Sequence, residues 1–384
     1  MNVNKKKLVK ILFTIFLSLA LLFCLKSFDY ILGKVLDHQV NNIHKRYINL
    51  REHVPNQISK YTPDNYYMSL TDTNLLEQKP YQLMTDENGF IIGNNNLKKN
   101  YNNKIDFIFF GGSTTECLYM DQEKRFPYLL SQLLKRRDGK DIYSLNAGVS
   151  GNHSIHTLLN LISKTLVIKP KYVFFMNNAN DIHLVSKNLS LFFPPESRAI
   201  IKKDEIGFKT FLVYLKNLII PNLYSAYKRF INANIHSSDE FFTLRKNINK
   251  IEDMKKVINT DFKSSVKSFI YIVRSWNLEP ILLTQFGRFY KEDKYVSDLY
   301  KKLNPSIEYK YIVELFHYTN NIIREIAKEE NVLLIDLEKE LRPFSKNVMY
   351  DPSHLNSKGS EIVANYIAEQ ISINYSSEYL PFNN

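Results

Sequence analysis

The chain has 384 residues, 44% of them hydrophobic, enough for one large domain or two ordinary ones with ample core. Its formal charge of +12 is uneven: residues 1–60 hold ten Lys or Arg against three acids, giving +7 and leaving +5 for the other 324 residues. So mild an excess, with no Arg-rich stripe or aromatic-basic alternation, argues against nucleic acid as a partner, and the widely separated Cys24 and Cys117 exclude a disulfide framework or a Cys-based zinc site.

Lys5, Lys6, Lys7 and Lys10 precede an apolar run from Ile11 to Leu25 that only Thr14 and Ser18 soften. Counted from Leu8 this is 18 residues, roughly 27 Å of helix against about 30 Å of hydrocarbon. The run is predicted to span a membrane as a single N-terminal anchor. Its flanking lysines put residues 1–26 on the cytoplasmic side and everything beyond Lys26 outside the cytoplasm, periplasmic or at the cell surface. A cleaved signal peptide is the competing reading, with Ser18-Leu19-Ala20 as its one small-residue site.

Residues 27–104 read as a stalk and an accessory arm. Tyr30, Ile31, Leu32, Val35 and Leu36 recur at helical spacing, and Asn88-Gly89 between Tyr81-Gln82-Leu83-Met84 and Phe90-Ile91-Ile92 predicts a hairpin turn. From residue 105 the chain alternates. Strands are predicted at 106–110, 141–145, 171–176, 280–284 and 332–336, and helices near 124–137, 154–167, 256–276, 307–330 and 357–372. The expected fold class is α/β, a flavodoxin-like doubly wound parallel sheet covered by helices on both faces, over residues 105–376. Residues 377–384 form a tail. A helical insertion at 184–250, opening at Pro194-Pro195 and carrying Phe211, Leu212, Tyr214, Leu215, Leu218, Ile219, Ile220, Leu223 and Tyr224, is either a lid or substrate cap, or packing filler.

Chemistry gathers at the strand ends. Ile105-Asp106-Phe107-Ile108-Phe109-Phe110 leads into Gly111-Gly112-Ser113, which holds a serine hydroxyl where open α/β sheets bind ligands. Such a nucleophile needs a base, a group that orients the base, and donors for the oxyanion. After the second strand, Asn146-Ala147-Gly148-Val149-Ser150-Gly151-Asn152 offers a backbone N–H at Gly151; after the third, Asn177-Asn178-Ala179-Asn180-Asp181 offers a side-chain amide. Near the C terminus, Asp351-Pro352-Ser353-His354 precedes a helix capped by Asn356 or Ser357, so Asp351 can accept from one imidazole nitrogen and leave the other to take the Ser113 proton. Cys117, beside Ser113, reads as a packed residue rather than a rival nucleophile.

This ordered set resembles the SGNH hydrolases, also called the GDSL esterase and lipase family. The family's Gly-Asp-Ser block is similar to Gly111-Gly112-Ser113, its second-block glycine to Gly151, its Gly-x-Asn-Asp block to Asn178-Ala179-Asn180-Asp181, and its Asp-x-x-His block to Asp351 and His354. The resemblance implies Ser113, His354 and Asp351 as catalytic triad and the Ser113 and Gly151 N–H groups with the Asn180 amide as oxyanion hole. Gly112 departs from the usual Asp and Asn178 from the usual Gly. A membrane-anchored, divergent branch is the expectation.

His153 and His156 are three apart and Asp181 and His183 two apart, which raises metal-assisted hydrolysis. The serine reading already uses Asp351 and His354 and leaves no consistent ligand set, so no metal and no other cofactor is expected. The expected activity is that of a serine esterase acting through an acyl-serine on O-acyl, chiefly acetyl, groups of a cell-envelope or exported polysaccharide. An O-acyltransferase using the same triad, and a non-catalytic carbohydrate-binding envelope protein, are the alternatives.

Overall fold

The structure is a computed structural model that describes residues 2–35, 46–93, 105–203, 251–303 and 307–381. The apolar set from Phe211 to Tyr224, and Leu36 of the predicted stalk, lie outside the described residues. The chain divides into two compact units: Met1–Tyr47 with Lys203–Pro221, and Ile48–Lys202 with Asn222–Asn384.

The first unit contains the helix Asn2–Val35. Within it Val9–Phe28, 20 residues of mean hydropathy 2.3, is long and apolar enough to cross a membrane, and none of that stretch is buried. The Thr14 and Ser18 hydroxyls donate to the carbonyls of Lys10 and Thr14, each at 2.9 Å, so neither adds a free donor to the apolar surface.

The second unit is built on an eight-stranded sheet. Its strands in chain order are β1 (Ile58–Tyr61), β2 (Tyr81–Thr85), β3 (Ile91–Ile92), β4 (Phe107–Gly111), β5 (Ser144–Asn146), β6 (Tyr172–Met176), β7 (Glu279–Leu283) and β8 (Leu333–Ile335). The spatial order is β8-β7-β6-β4-β5-β3-β2-β1. The five strands β4 to β8 pair in parallel, with β4 between β5 and β6. That is the doubly wound order 2-1-3-4-5, in which successive strands are added first on one side of β4 and then on the other. Residues 58–92 extend the same sheet by three antiparallel strands, β3 pairing with β5 through Ile91 and Asn146.

Alternation along the parallel strands sends side chains to two cores. Ile108, Phe110, Val173, Phe175 and Leu282 meet the helices Ser154–Asn160, Lys263–Ser275 and Tyr309–Glu329 on one face. Phe107, Phe109, Phe174, Ile281, Leu283 and Ile335 meet Phe126–Leu133 and Ser357–Asn374 on the other. Phe109 and Phe174 stack with ring centroids 4.1 Å apart. The strands are apolar on both faces because helices cover both.

Three boundaries differ from the periodicity. The predicted helix 124–137 ends at Leu133, and Leu134–Arg136 instead pairs antiparallel with Tyr379–Pro381; the buried Tyr379 hydroxyl donates to Asp106 Oδ1 at 2.9 Å. The third predicted helix, 256–276, is already helical at Ile251, the first described residue after 203, and passes through a wide turn at Ile258–Phe262 before Lys263–Ser275. The helix Ala179–Asn188 runs past 184, so the insertion leaves from a helix rather than from a loop.

Candidate active site

Ser113 opens the one-turn helix Ser113–Glu116 directly beyond β4, with Gly112 as its N-cap. It is half-buried, and among the described residues nothing hydrogen-bonds its hydroxyl. The neighbouring Thr114 is buried and ties the turn down. Its hydroxyl donates to the Ser353 carbonyl at 2.7 Å and accepts from Gln285 Nε2 at 2.9 Å. Gln285 Oε1 in turn accepts from the Ala179 N–H at 2.9 Å. One hydroxyl and one amide thus join the loops carrying Ser113, Asn180 and His354.

His354 lies in a loop pinched by an antiparallel bridge between Met349 and Leu355, and the helix beyond it is capped by Asn356 Oδ1, which accepts from Gly359 N at 2.9 Å. Asp351 sits three residues before the imidazole. Its Oδ1 accepts from the Ser353 and His354 N–H groups at 2.9 and 2.8 Å, and its Oδ2 lies 2.6 Å from His354 Nδ1. The Tyr67 hydroxyl donates to that same Oδ2 at 3.1 Å. Burial works to raise the Asp351 pKa, but the His354 charge and these donors outweigh it and hold the carboxyl below its ordinary range. For His354 the balance runs the other way: burial favours the neutral ring, yet Asp351, with a smaller contribution from Glu116, leaves its pKa raised. The imidazole also stacks on Tyr350, with centroids 5.7 Å apart and planes 12° from parallel.

The second and third predicted loops meet at Asn180. Its Nδ2 donates to the Asn152 carbonyl at 2.9 Å, which uses one of two N–H bonds and leaves the other for a ligand. Gly112 makes that approach possible. A Cβ at residue 112 would lie 2.2 Å from Asn180 Nδ2 and 3.1 Å from the Asn152 carbonyl oxygen, so an Asp there would have to displace this amide. Asn178, the other departure, has extended backbone and turns away from the site, donating to the Phe316 carbonyl at 3.0 Å and to Asn320 Oδ1 at 2.8 Å. Gly151 has φ +80°, in the left-handed region that favours glycine.

The remaining candidates have structural tasks. His153 and His156 form a capping box on the helix Ser154–Asn160: His153 Nδ1 accepts from Ile155 N and His156 Nδ1 from His153 N, both long at 3.4 Å. Burial, with nearby positive charge, pushes His156 down to about 4 and His153 well below its ordinary value. Asp181 Oδ1 accepts from Ser154 N at 3.0 Å, and burial raises this carboxyl to about 7. Among the described residues no group of three or more His, Cys, Asp or Glu is placed to hold a metal ion. The Cys117 thiol is buried and pushed up to about 12 by burial, the reverse of an activated nucleophile.

Several contributors carry no local sequence signal. Tyr67 reaches Asp351 across 284 positions, Arg51 reaches Asn152 across 101, and Gln285 reaches Thr114 across 171. Glu116 was legible only as the end of Ser-Thr-Thr-Glu. It is buried, lies 3.1 Å from His53 Nε2, and accepts from the Ser150 hydroxyl in the Gly151 loop.

No protein-family model matches this chain, and no curated protein matches it. Solved structures similar to it include an acetylxylan esterase from Geobacillus stearothermophilus, at 14% identity and TM-score 0.39, over 70% of this chain and 94% of that one. A lipase/acylhydrolase from Enterococcus faecalis is similar at 16% identity and TM-score 0.41, over 73% of this chain and all of that one, 100%.

Proposed function

We propose that this protein is a serine esterase that works through an acyl-serine intermediate. The observation that carries the reading is the Asp351–His354 pair, whose loop is fastened to the Ser113 turn by the bond from Thr114 to Ser353. His354 Nε2 takes the proton of Ser113 Oγ as that oxygen attacks the ester carbonyl carbon. Asp351 fixes the tautomer that presents Nε2 and stabilises the imidazolium. The N–H groups of Ser113 and Gly151 and the Asn180 amide receive the oxyanion, each contributing about 3 kcal/mol to lowering the barrier. His354 then returns the proton to the leaving alkoxide. A water deprotonated by the same imidazole breaks the acyl-serine bond and restores the enzyme.

The motif resemblance and the apolar helix behind four lysines support an enzyme anchored in a membrane with its site outside the cytoplasm, acting on O-acyl groups of an envelope or exported polysaccharide. Transfer of the acyl group to a sugar hydroxyl uses the same intermediate. The test is mass spectrometry of the full chain in detergent after reaction with a fluorophosphonate, comparing wild type with Ser113→Ala and His354→Ala. The reading expects an adduct on Ser113 that requires His354, together with acetate release from p-nitrophenyl acetate. A folded protein that gives neither refutes it, and addition of glycan acceptors separates hydrolysis from transfer.

A further inference from the structure

Two arginines flank the Gly151 loop, and they differ in how their charge is met. Arg51 is fully engaged: its Nε donates to Asn152 Oδ1 at 3.0 Å, Nη2 to the Ser150 carbonyl at 2.7 Å and Nη1 to the Ser197 carbonyl at 2.5 Å. It stitches the glycine loop to the first, described part of the insertion. That brings Arg198 against the loop. A methyl group built on Gly151 would lie 2.8 Å from Arg198 Nε and 2.9 Å from its Cζ, so the guanidinium rests on the face of the glycine.

The Arg198 guanidinium has no acidic partner among the described residues, and its buried Nη1 has no hydrogen-bond acceptor there. Its surroundings are cationic or neutral. Arg51 is close enough to repel it, and Lys187 is pushed down to about 8, by burial first and by Arg198 second. His156 is neutral, its Nδ1 accepting from His153 N and its Nε2 donating to the Arg198 carbonyl at 3.1 Å. His153 Nδ1 likewise accepts, so its Nε2 carries the proton. That Nε2 is the second buried donor here without an acceptor among the described residues, and it lies within range of the Arg198 charge. A partly buried cation without a counterion is costly, and unsatisfied buried donors add to the cost. An oxyanion on the guanidinium supplies the missing counterion.

We propose that Arg198 forms an anion subsite beside Gly151, and that the natural ester substrate carries a carboxylate or phosphate on the acylated sugar. The planar guanidinium suits either group through two parallel N–H donors. This rests on the reading of Gly151 as the border of the ester site. The described part of the insertion then supplies specificity rather than chemistry, and Arg51 is a positioning residue for it.

The test uses the full chain in detergent with three mono-O-acetyl sugars: methyl glucuronoside, glucose 6-phosphate and the neutral methyl glucoside. Wild type is expected to favour at least one anionic ester over the neutral one by roughly 10- to 100-fold in kcat/KM. Arg198→Gln is expected to collapse that ratio and Arg198→Lys to keep part of it, and the two anionic arms tell carboxylate from phosphate. Equal turnover of all three esters by wild type, or a ratio unmoved in Arg198→Gln, overturns the subsite while leaving the esterase reading intact. If none of the three esters turns over, the adduct and p-nitrophenyl acetate tests alone judge the esterase reading, and calorimetric binding of glucuronate and inorganic phosphate to Ser113→Ala, with and without Arg198→Gln, decides the subsite. Binding that Arg198→Gln abolishes supports it, and no binding, or binding indifferent to Arg198, overturns it.

Discussion

Gly112 is the residue at which the geometry makes its sharpest demand. A Cβ there would sit 2.2 Å from Asn180 Nδ2, where a relaxed contact needs about 3.5 Å, so Gly112→Ala must drive the amide back by more than about 1 Å. The amide then loses its 2.9 Å bond to the Asn152 carbonyl and, on the proposed mechanism, its aim at the oxyanion. Losing one oxyanion donor costs about 3 kcal/mol, or about 10²-fold in kcat, with KM little changed because the donor acts chiefly in the transition state. The assay is steady-state hydrolysis of p-nitrophenyl acetate by wild type, Gly112→Ala, Asn180→Ala and the double variant, with circular dichroism to verify folding. Since both single changes remove the same donor, the double variant should fall to about the level of either one rather than to their product. A Gly112→Ala enzyme within about threefold of wild type, or losses that multiply in the double variant, refutes the reasoning.

The pH profile supplies a second check. Because the His354 pKa is raised and the base of the proposed mechanism must be neutral to act, kcat/KM should climb with pH along a limb centred above 6.5. In Asp351→Asn the raising charge is gone while burial remains, so the limb should move to lower pH as the rate falls by about 10³- to 10⁴-fold. Tyr67→Phe removes a donor from Asp351 Oδ2 and should cost about 1 kcal/mol of transition-state stabilisation, roughly fivefold in kcat, while shifting the same limb upward; an unmoved limb argues that Tyr67 only packs. Asp181 bears on stability instead. Its pKa is raised from 3.8 to about 7 by burial, so its own contribution to folding stability is most favourable below pH 3.8, declines as pH rises towards 7 and is flat beyond, a span of about 4 kcal/mol. Asp181→Asn should therefore flatten the decline between pH 4 and 7 in denaturant titrations and be the more stable protein at pH 8.

What the sequence made legible was local. Phe107 to Phe110 read as a strand buried on both faces because consecutive apolar side chains must go to opposite sides, and they do. Asp351 and His354 were visible because three residues of a tight turn suffice to bring carboxylate and imidazole to 2.6 Å. The two departures from the family pattern were visible as well, but their meaning was not. Gly112 is set by the Asn180 side chain 68 positions later, and Asn178 by the helix Tyr309–Glu329. Nor did residues 58–92 announce that they extend the sheet or that Tyr67 reaches Asp351, since neither contact leaves a trace in spacing.

The same contrast explains how a site with an unbonded serine hydroxyl is kept in register. Ser113 is held through its neighbour rather than through its own side chain: Thr114 bonds the residue next to His354, and Gln285 bonds both Thr114 and the residue next to Asn180. Gln285 is itself gripped by Asn320, whose Oδ1 accepts from the Gln285 N–H at 3.1 Å and whose Nδ2 donates to the Gln285 carbonyl at 3.0 Å. These atoms are buried and mutually satisfied, so shifting one loop strands the donors of the others. The hydroxyl that the proposed mechanism requires to change partners is thereby left out of the scaffold, and the scaffold positions it from one residue away.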